Sequence, residues 1–314
     1  MDRRAARRSH GSAEPSGCGY KGLHRDPKSR RSSGAGKGRD AIVISDMHVH
    51  TCFSSDSTAP VEDQIRKAIS LGMKHIAITD HQDYDYPAWH SIYLLSDTGD
   101  TEGYLNGLRA VREKYAEQIE VLFGIELGLQ VHLGEMLNKY VAKYPFDFVI
   151  GSTHCYDGRD TEDPALYADR SEEEACRAYF QTELDNIAAT DAYDVVGHID
   201  FVLRDLPSKN RYFTYAKYAE LLDEILLTVI RKGKGIECNT KTLYRGMGQP
   251  GPDTSVLRRY RELGGEIITF GSDAHRPDWI GGSFEVASKI VRDCGFRYYC
   301  IYKERSPVFL PLES

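Results

Sequence analysis

Short apolar runs alternate with longer amphipathic segments along most of the chain. Seven runs of five to eight residues are rich in Val, Ile and Phe, and most end at polar residues. They lie at residues 41–45, 75–80, 121–127, 146–153, 194–199, 235–240 and 266–273. Continuous apolar runs of this length are typical of parallel strands that are buried on both faces of a sheet. The pattern therefore predicts an α/β fold with a parallel sheet.

The segments between these runs have the spacing of amphipathic helices. In "YAELLDEILLTVI" the apolar residues recur three and four positions apart, which places them on one helix face. Helices are predicted at 61–72, 101–116, 171–189, 212–233, 254–265 and 283–295, and we expect one more strand in the tail that follows. Seven strand–helix units predict a closed or nearly closed barrel, and a doubly wound open sheet is the alternative.

The first forty residues differ from the rest of the chain. They are rich in Arg, Ser and Gly, and they carry eleven Lys or Arg against four Asp or Glu. Such a composition buries too little apolar surface to offset the loss of chain entropy. We therefore expect a disordered basic extension at 1–40 and a folded domain at 41–314. Two interpretations of the extension are open: an upstream addition, or a tail for nucleic-acid binding or organelle targeting.

Bulk composition narrows the function classes. The whole chain has a net charge of −7, so the folded part after residue 40 is strongly acidic, which disfavours nucleic acid as a partner. No run of eighteen apolar residues occurs, so no membrane-spanning helix is expected. The seven cysteines form no CxxC pair and their number is odd, which favours a reducing cytoplasm over a disulfide framework.

Residues that can bind metal ions follow almost every predicted strand. In a β/α barrel the carboxyl ends of the strands meet at one rim, where active sites are built. The residues concerned are His48, His50, His81, Glu126, His154, His198, Asp200, Glu237, Asp273 and His275. Imidazole and carboxylate ligands together suit Zn, Mn or Fe. There are more ligands than one ion can use, so two or three ions are expected, with Glu126 bridging a pair. Such a centre suits phosphoester hydrolysis.

Six short motifs in this order resemble the PHP (polymerase and histidinol phosphatase) superfamily of metal-dependent phosphoesterases. They read "DMHVHT", "ITDH", "GIEL", "GSTH", "GHIDF" and "GSDAH". Within the superfamily, "DFVIGSTHCYDG" and "VVGHIDFVLRD" are most similar to histidinol-phosphate phosphatases. The resemblance implies a distorted seven-stranded TIM-like (β/α)7 barrel that holds three divalent metal ions at its carboxyl rim.

The resemblance also implies a ligand set for each ion. The first ion is expected on His48, His50, Glu126 and Asp273. Glu126 would bridge to a second ion bound by His154 and His198, and the third would be bound by Asp56, His81 and His275. Asp56 departs from the family pattern, because some relatives have His there. We therefore expect the third site to differ in affinity or in metal preference.

Cationic side chains are expected to bind the phosphate group. Arg204 matches an Arg of the family, and its guanidinium suits bidentate binding of phosphate. After "ECNT" this chain departs from the family's Ser-Gly-Leu-Arg, so the next cation is expected at Lys241 or Arg245. Asp200 either orients a metal ligand or protonates the leaving alkoxide.

The expected function is the hydrolysis of L-histidinol phosphate to L-histidinol and phosphate, in histidine biosynthesis. The alternatives are a related enzyme for another small phosphomonoester, such as a nucleotide or sugar phosphate, and a metal-binding module without turnover. The intact ligand set argues against the module. The loop at 82–100 carries Asp83 and Asp85, which are expected to be solvated acids, with a lid over the cationic amine of an amino-alcohol phosphate as the alternative.

Overall fold

The strands occupy the positions that the apolar runs predict, with one exception. The computed structural model describes residues 44–87, Leu95 and residues 100–312, so the predicted extension at 1–40 lies outside the described residues. The strands of the described part are β1 (His75–Ile78), β2 (His81–Gln82), β3 (Glu120–Gly128), β4 (Phe148–Ser152), β5 (Cys155–Tyr156), β6 (Arg159–Asp160), β7 (Val195–Val196), β8 (Gly235–Asn239), β9 (Ile268–Gly271), β10 (Tyr298–Lys303) and β11 (Ser306–Pro311).

A parallel sheet forms the centre of the fold. Its order is β1-β3-β4-β7-β8-β9, with β2 also paired to β3, and every pairing within it is parallel. These strands are almost entirely buried, as continuous apolar runs require. The register places His81 beside Glu126, so two predicted metal ligands are neighbours across a strand pair. The fold is therefore α/β, with a curled, mostly parallel sheet.

Of the strand predicted at 41–45, residues 41–43 lie outside the described residues, and neither Ile44 nor Ser45 is in a strand. The pairing falls later, where Asp46 bridges to Ile76 and Val49 bridges to Ala274, both in parallel. Side chains occupy the places of the missing ladder bonds: the Val49 N–H donates to Thr79 Oγ1 at 3.0 Å and the His48 N–H donates to Asp46 Oδ1 at 3.3 Å. Isolated bridges therefore replace a regular strand in this segment.

The segment 44–50 contacts both outer strands of the sheet. The Ala77 N–H of β1 donates to Asp46 O at 2.9 Å, and the Met47 N–H donates to Phe270 O of β9 at 2.8 Å. The two histidines His48 and His50 are thus held between the first and last strands of the sheet. This position brings them to the strand ends that carry the other candidate ligands.

The helices connect the strands. Those of the described residues are α1 (Val61–Ser70), α2 (Thr101–Tyr115), α3 (Gly134–Lys143), α4 (Ala165–Ala168), α5 (Glu172–Ala189), α6 (Tyr215–Arg231), α7 (Lys241–Tyr244), α8 (Thr254–Glu262) and α9 (Phe284–Asp293). No described helix combines the length and the apolar character of a bilayer-spanning segment. The six predicted helices are present, each slightly shorter than predicted. Helix α3 was missed because it starts at Gly134, a poor helix former, which packs closely on the Ala189 carbonyl.

The C-terminal tail forms an antiparallel hairpin apart from the main sheet. Strands β10 and β11 pair along their whole length, so the predicted extra strand is in fact two. The Tyr302 ring stacks on Phe148 with centroids 5.1 Å apart, and its hydroxyl donates to Asp194 O at 3.3 Å. Arg305 Nε donates to Asp194 Oδ2 at 2.5 Å. The hairpin therefore packs on the start of β4 and forms hydrogen bonds just before the start of β7.

We predict that Tyr302→Ala destabilises the fold strongly. Tyr302 is 2% exposed, and loss of a buried aromatic ring costs about 3–5 kcal/mol of unfolding free energy. Tyr298, on the same strand, is 54% exposed, so Tyr298→Ala is the matched control and should change stability by less than about 1 kcal/mol. Denaturant unfolding measures both. Equal losses of unfolding free energy in the two variants would contradict a stabilising role for the Tyr302 contacts.

Candidate metal centre

A buried carboxylate lies at the centre of four imidazole rings. Glu126, on β3, has Oε1 at 3.1 Å from His198 Nε2 and 3.2 Å from His154 Nε2. Its Oε2 is 3.1 Å from both His48 Nε2 and His81 Nδ1. These side chains come from the carboxyl ends of separate strands, which parallel pairing brings to one place. The predicted bridging position of Glu126 is therefore geometrically reasonable.

A second group lies beside the first. His50 Nε2 is 3.0 Å from His48 Nε2, 3.4 Å from Glu126 Oε2 and 3.5 Å from Asp273 Oδ1. His48 and His50 are two residues apart in an extended segment, so their side chains point to the same side. Two imidazole nitrogens and two carboxylates converge here, a donor set that suits a divalent transition metal.

The third group is the most exposed. His275 Nε2 is 2.7 Å from Asp56 Oδ2, and His81 Nε2 is 3.7 Å from the same oxygen. The His50 ring stacks against both His81 and His275, with centroids 4.3 and 4.2 Å apart. The side chain of Asp56 is 28% exposed, whereas Glu126 is 1% exposed. All nine predicted ligands thus lie in one continuous cluster.

Acceptors behind the rings fix the orientation of two histidines. His48 Nδ1 lies 2.6 Å from Glu237 Oε1, and His154 Nδ1 lies 2.5 Å from Asp83 Oδ2. An ionised carboxylate only accepts, so Nδ1 donates, and in the neutral ring Nε2 then presents its lone pair to the cluster. Metal-binding histidines commonly have this arrangement. Asp83, expected to be solvated, is 2% exposed, because it packs against the backbone at Gly128.

Two ring nitrogens face each other inside the cluster. The Nε2 atom of His48 points inward and lies 3.0 Å from His50 Nε2, and His50 Nδ1 lies 3.1 Å from Ser54 Oγ. Ser54 donates its own proton to Asp80 at 2.6 Å, so its oxygen is free to accept from His50 Nδ1. At this separation a shared proton or a cation must lie between or beside the two nitrogens, because two lone pairs would repel. The donor set of this structure fits a bound metal ion.

The charges of the cluster also favour a cation. Burial alone raises the pKa of Glu126, but the imidazoles of His48 and His154 outweigh burial and hold that pKa well below its usual value. Burial likewise raises the pKa of Asp273, yet Lys241 and His48 hold it well below the usual value. Burial lowers the pKa of His50, and the neighbouring imidazoles lower it further. Burial lowers the pKa of His48 and His154, but the neighbouring carboxylates outweigh burial and raise it well above its usual value. Because ionised carboxylates and neutral imidazoles are the forms that bind metal ions, an ion that binds these two rings would displace their protons.

The cluster opens into a cavity of about 440 Å³. The three cations predicted to bind phosphate, Arg204, Lys241 and Arg245, all line it. Lys241 Nζ lies 2.8 Å from Asp273 Oδ1, so one of these cations directly contacts a candidate metal ligand. The cavity volume lies in the range of sites for small molecules. The cluster is therefore accessible to a ligand of that size.

Other side chains that line the cavity were missed from the sequence. They are Thr58, Tyr86, Asp160, Glu162, Phe201, Arg276 and Trp279. Arg276 directly follows His275, so its place next to a predicted ligand was a usable signal. Asp160 comes from the β5–β6 hairpin, a unit too short to read from the apolar pattern.

Asp200 lies away from the cavity. It lines a much smaller neighbouring pocket, and its Oδ2 accepts the backbone N–H of Asp253 at 2.7 Å, directly before α8. Burial raises the pKa of Asp200 to about 7. The contact supports a structural role at the start of α8. A proton-donating role for Asp200 stays a prediction.

Comparison with known proteins identifies close sequence relatives. The chain matches the PHP domain over residues 46–241. A histidinol-phosphatase from Lactococcus lactis is 29% identical over 259 residues, which cover 80% of this chain and 91% of the relative. A probable histidinol-phosphatase from Clostridium acetobutylicum is 30% identical over 258 residues, which cover 81% of this chain and 95% of the relative. The similarity therefore extends over nearly the whole length of both relatives.

A solved structure has the same fold. The crystal structure of histidinol phosphate phosphatase from Lactococcus lactis, complexed with zinc, L-histidinol and phosphate, has a TM-score of 0.76 and 27% identity. The match covers 84% of this chain and 98% of that chain. The domain match includes candidate ligands from His48 to His198, and the fold agrees with it. This chain belongs to the PHP domain family.

Proposed function

We propose that this protein is a metal-dependent histidinol phosphatase, which hydrolyses L-histidinol phosphate to L-histidinol and phosphate. The observation that carries the proposal is the buried cluster of six histidines and three carboxylates, which opens into a cavity with three cationic side chains. A relative that binds zinc, L-histidinol and phosphate supports the choice of substrate. The reaction belongs to histidine biosynthesis, and the free thiols of the described cysteines are in keeping with the cytoplasm.

The cluster holds three divalent metal ions in this proposal. His48, His50, Glu126 and Asp273 bind the first, Glu126 with His154 and His198 binds the second, and Asp56 with His81 and His275 binds the third. The zinc of the Lactococcus lactis structure makes zinc the first choice over Mn and Fe. When bound, such ions polarise the phosphoryl oxygens and lower the pKa of water. The side chains supply the positions, the charge balance and the buried surroundings.

The closed form of the sheet is also part of the proposal. Segment 44–50 accepts a backbone hydrogen bond from β1 at Asp46 O and donates one to β9 from the Met47 N–H, as a seventh strand between them would. The domain at 41–314 is then a distorted seven-stranded TIM-like barrel. A barrel of this kind would hold the nine ligands at one rim.

The phosphate group binds to the cationic side of the cavity. Arg204 is held by Asp205, with Nε 3.1 Å from Oδ1, and its guanidinium lies 3.9 Å from the Phe201 ring centroid. Both contacts orient the planar group before substrate binds, which reduces the entropy cost of binding. Lys241 places a second positive charge beside Asp273, whereas Arg245 is exposed and contacts Trp279 at the cavity mouth.

We predict that histidinol phosphate is the preferred substrate. Phosphate release by zinc-loaded protein from histidinol phosphate should exceed release from nucleotide and sugar phosphates, measured as kcat/KM. If another phosphomonoester were preferred, the proposed reaction class would stand, but histidinol phosphate would be excluded as the preferred substrate. No release from any compound, with metal bound, would instead support a metal-binding module without turnover.

We predict that Glu126→Gln lowers kcat by at least about 100-fold, because it removes the charge shared by four imidazoles. Glu183→Gln is the matched control. Burial raises the pKa of Glu183 to about 8, so this residue is mostly protonated at pH 7 and Gln resembles its neutral form. The control should retain activity within about threefold of wild type. Wild-type turnover in Glu126→Gln would refute the ligand assignment.

We predict that Asp83→Asn weakens zinc binding by about 10–100-fold, because His154 Nδ1 loses its charged acceptor. Asp85→Asn changes a neighbouring carboxylate that is 68% exposed and, among the described residues, pairs with the exposed His132 side chain. Its zinc affinity should stay within about threefold of wild type. Competition with a chromogenic chelator measures both affinities, and identical values for the two variants would exclude the orienting role.

A further inference from the structure

Two guanidinium groups lie over one indole ring at the mouth of the cavity. Arg245 and Arg276 place their Cζ atoms 5.4 and 5.3 Å from the centroid of Trp279. All three side chains line the same cavity as the candidate metal ligands, and both arginines are exposed. They come from separate connections, after β8 and after β9. The fold thus brings two like charges together at one entrance.

These two cations differ from the cations deeper in the cavity. Lys241 is 2.8 Å from Asp273 and Arg204 is 3.1 Å from Asp205, so each inner charge has a carboxylate partner. Within residues 44–87, Leu95 and 100–312, no side chain forms an ion pair or hydrogen bond with the guanidinium of Arg245 or Arg276. The positive charge at the mouth is therefore available to a ligand.

The indole ring that holds the arginines is itself fixed. Pro277–Trp279 forms a short 3-10 helix, in which the backbone N–H of Trp279 donates to the backbone oxygen of Arg276 at 3.0 Å. The Tyr244 ring lies 5.8 Å from Trp279, and the Tyr244 hydroxyl donates to Ser272 O at 2.9 Å. The face of an indole attracts cations, which offsets part of the repulsion between the two arginines. The pair is thus positioned in advance of any ligand.

We infer that Arg245, Arg276 and Trp279 form an outer anion site, which captures the phosphate group of a dianionic phosphomonoester before the inner groups bind it. The inference rests on the proposed function. A chain with a net charge of −7 repels a phosphate dianion over most of its surface. A local pair of unneutralised guanidinium groups reverses the potential at the entrance, and it steers the substrate to the cavity.

Capture has a kinetic signature that a role in the chemical step lacks. Loss of the outer site slows productive binding, so kcat/KM falls and KM rises while kcat stays nearly constant. The effect of exposed charges is screened by salt, so wild-type kcat/KM should fall as ionic strength rises. Without the outer site, this dependence on salt should be weaker.

The test compares Arg245→Gln, Arg276→Gln and the double variant with wild type, all zinc-loaded, on histidinol phosphate at several ionic strengths. Arg109→Gln is the control, because Arg109 is exposed on α2 and, within the part of the chain that the structure describes, its side chain bonds only to Asn106. At low salt we expect kcat/KM of the double variant to be at least about tenfold lower than that of wild type, while its kcat stays within about twofold of the wild-type value. We also expect kcat/KM of the double variant to depend less on ionic strength. An unchanged kcat/KM in the double variant, or a loss confined to kcat, would overturn the inference.

Titration with inorganic phosphate separates this inference from the proposed function. Calorimetry on the same zinc-loaded proteins should give a phosphate affinity about tenfold lower in the double variant than in wild type and the Arg109→Gln control. If wild type does not hydrolyse histidinol phosphate but the phosphate affinity falls as expected, the outer site stands and the proposed substrate falls. Equal phosphate affinity in all variants would refute the outer site, even if histidinol phosphate is hydrolysed.

Discussion

The burial of the Glu126 carboxylate is the constraint on which the rest of the site depends. A fully buried charge is costly unless groups of opposite charge or metal ions surround it. Four imidazole nitrogens lie within 3.2 Å of its two oxygens, and they come from strands far apart in sequence. The strand register, the position of segment 44–50 and the cavity all serve to bring these groups to one carboxylate.

A second layer of carboxylates makes this arrangement specific. Glu237 and Asp83 each accept from a ring nitrogen that faces away from the cluster, which leaves the other nitrogen to bind a metal ion. Space for Glu237 depends on Gly271, where a Cβ atom would lie 2.0 Å from Glu237 Oε1 and 2.4 Å from His48 Cβ. The glycine in "FGSD" is thus required by packing behind the ligands, and a side chain there would displace both residues.

That the nine candidate ligand side chains lie together could be predicted from the sequence because the information is local. His48 and His50 are two positions apart, and His81, Glu126 and His154 each follow an apolar run, so the parallel sheet alone brings them together. Features that depend on tertiary contacts were not predictable in this way. Asp83 sits in a loop, and only packing against Gly128 shows that it is buried. The apolar pattern also did not show that Asp46 and Val49 form the described parallel bridges, because the side-chain hydrogen bonds beside those bridges leave no trace in such a pattern.

The central claim is that this cluster is a centre for several metal ions. Anomalous diffraction at the zinc absorption edge, on crystals grown with zinc, tests it most directly. The account predicts three peaks, with His48, His154 and His275 each bound to a different ion at about 2.0–2.1 Å from its nitrogen. One peak or none within reach of Glu126, with zinc in excess, would contradict the account.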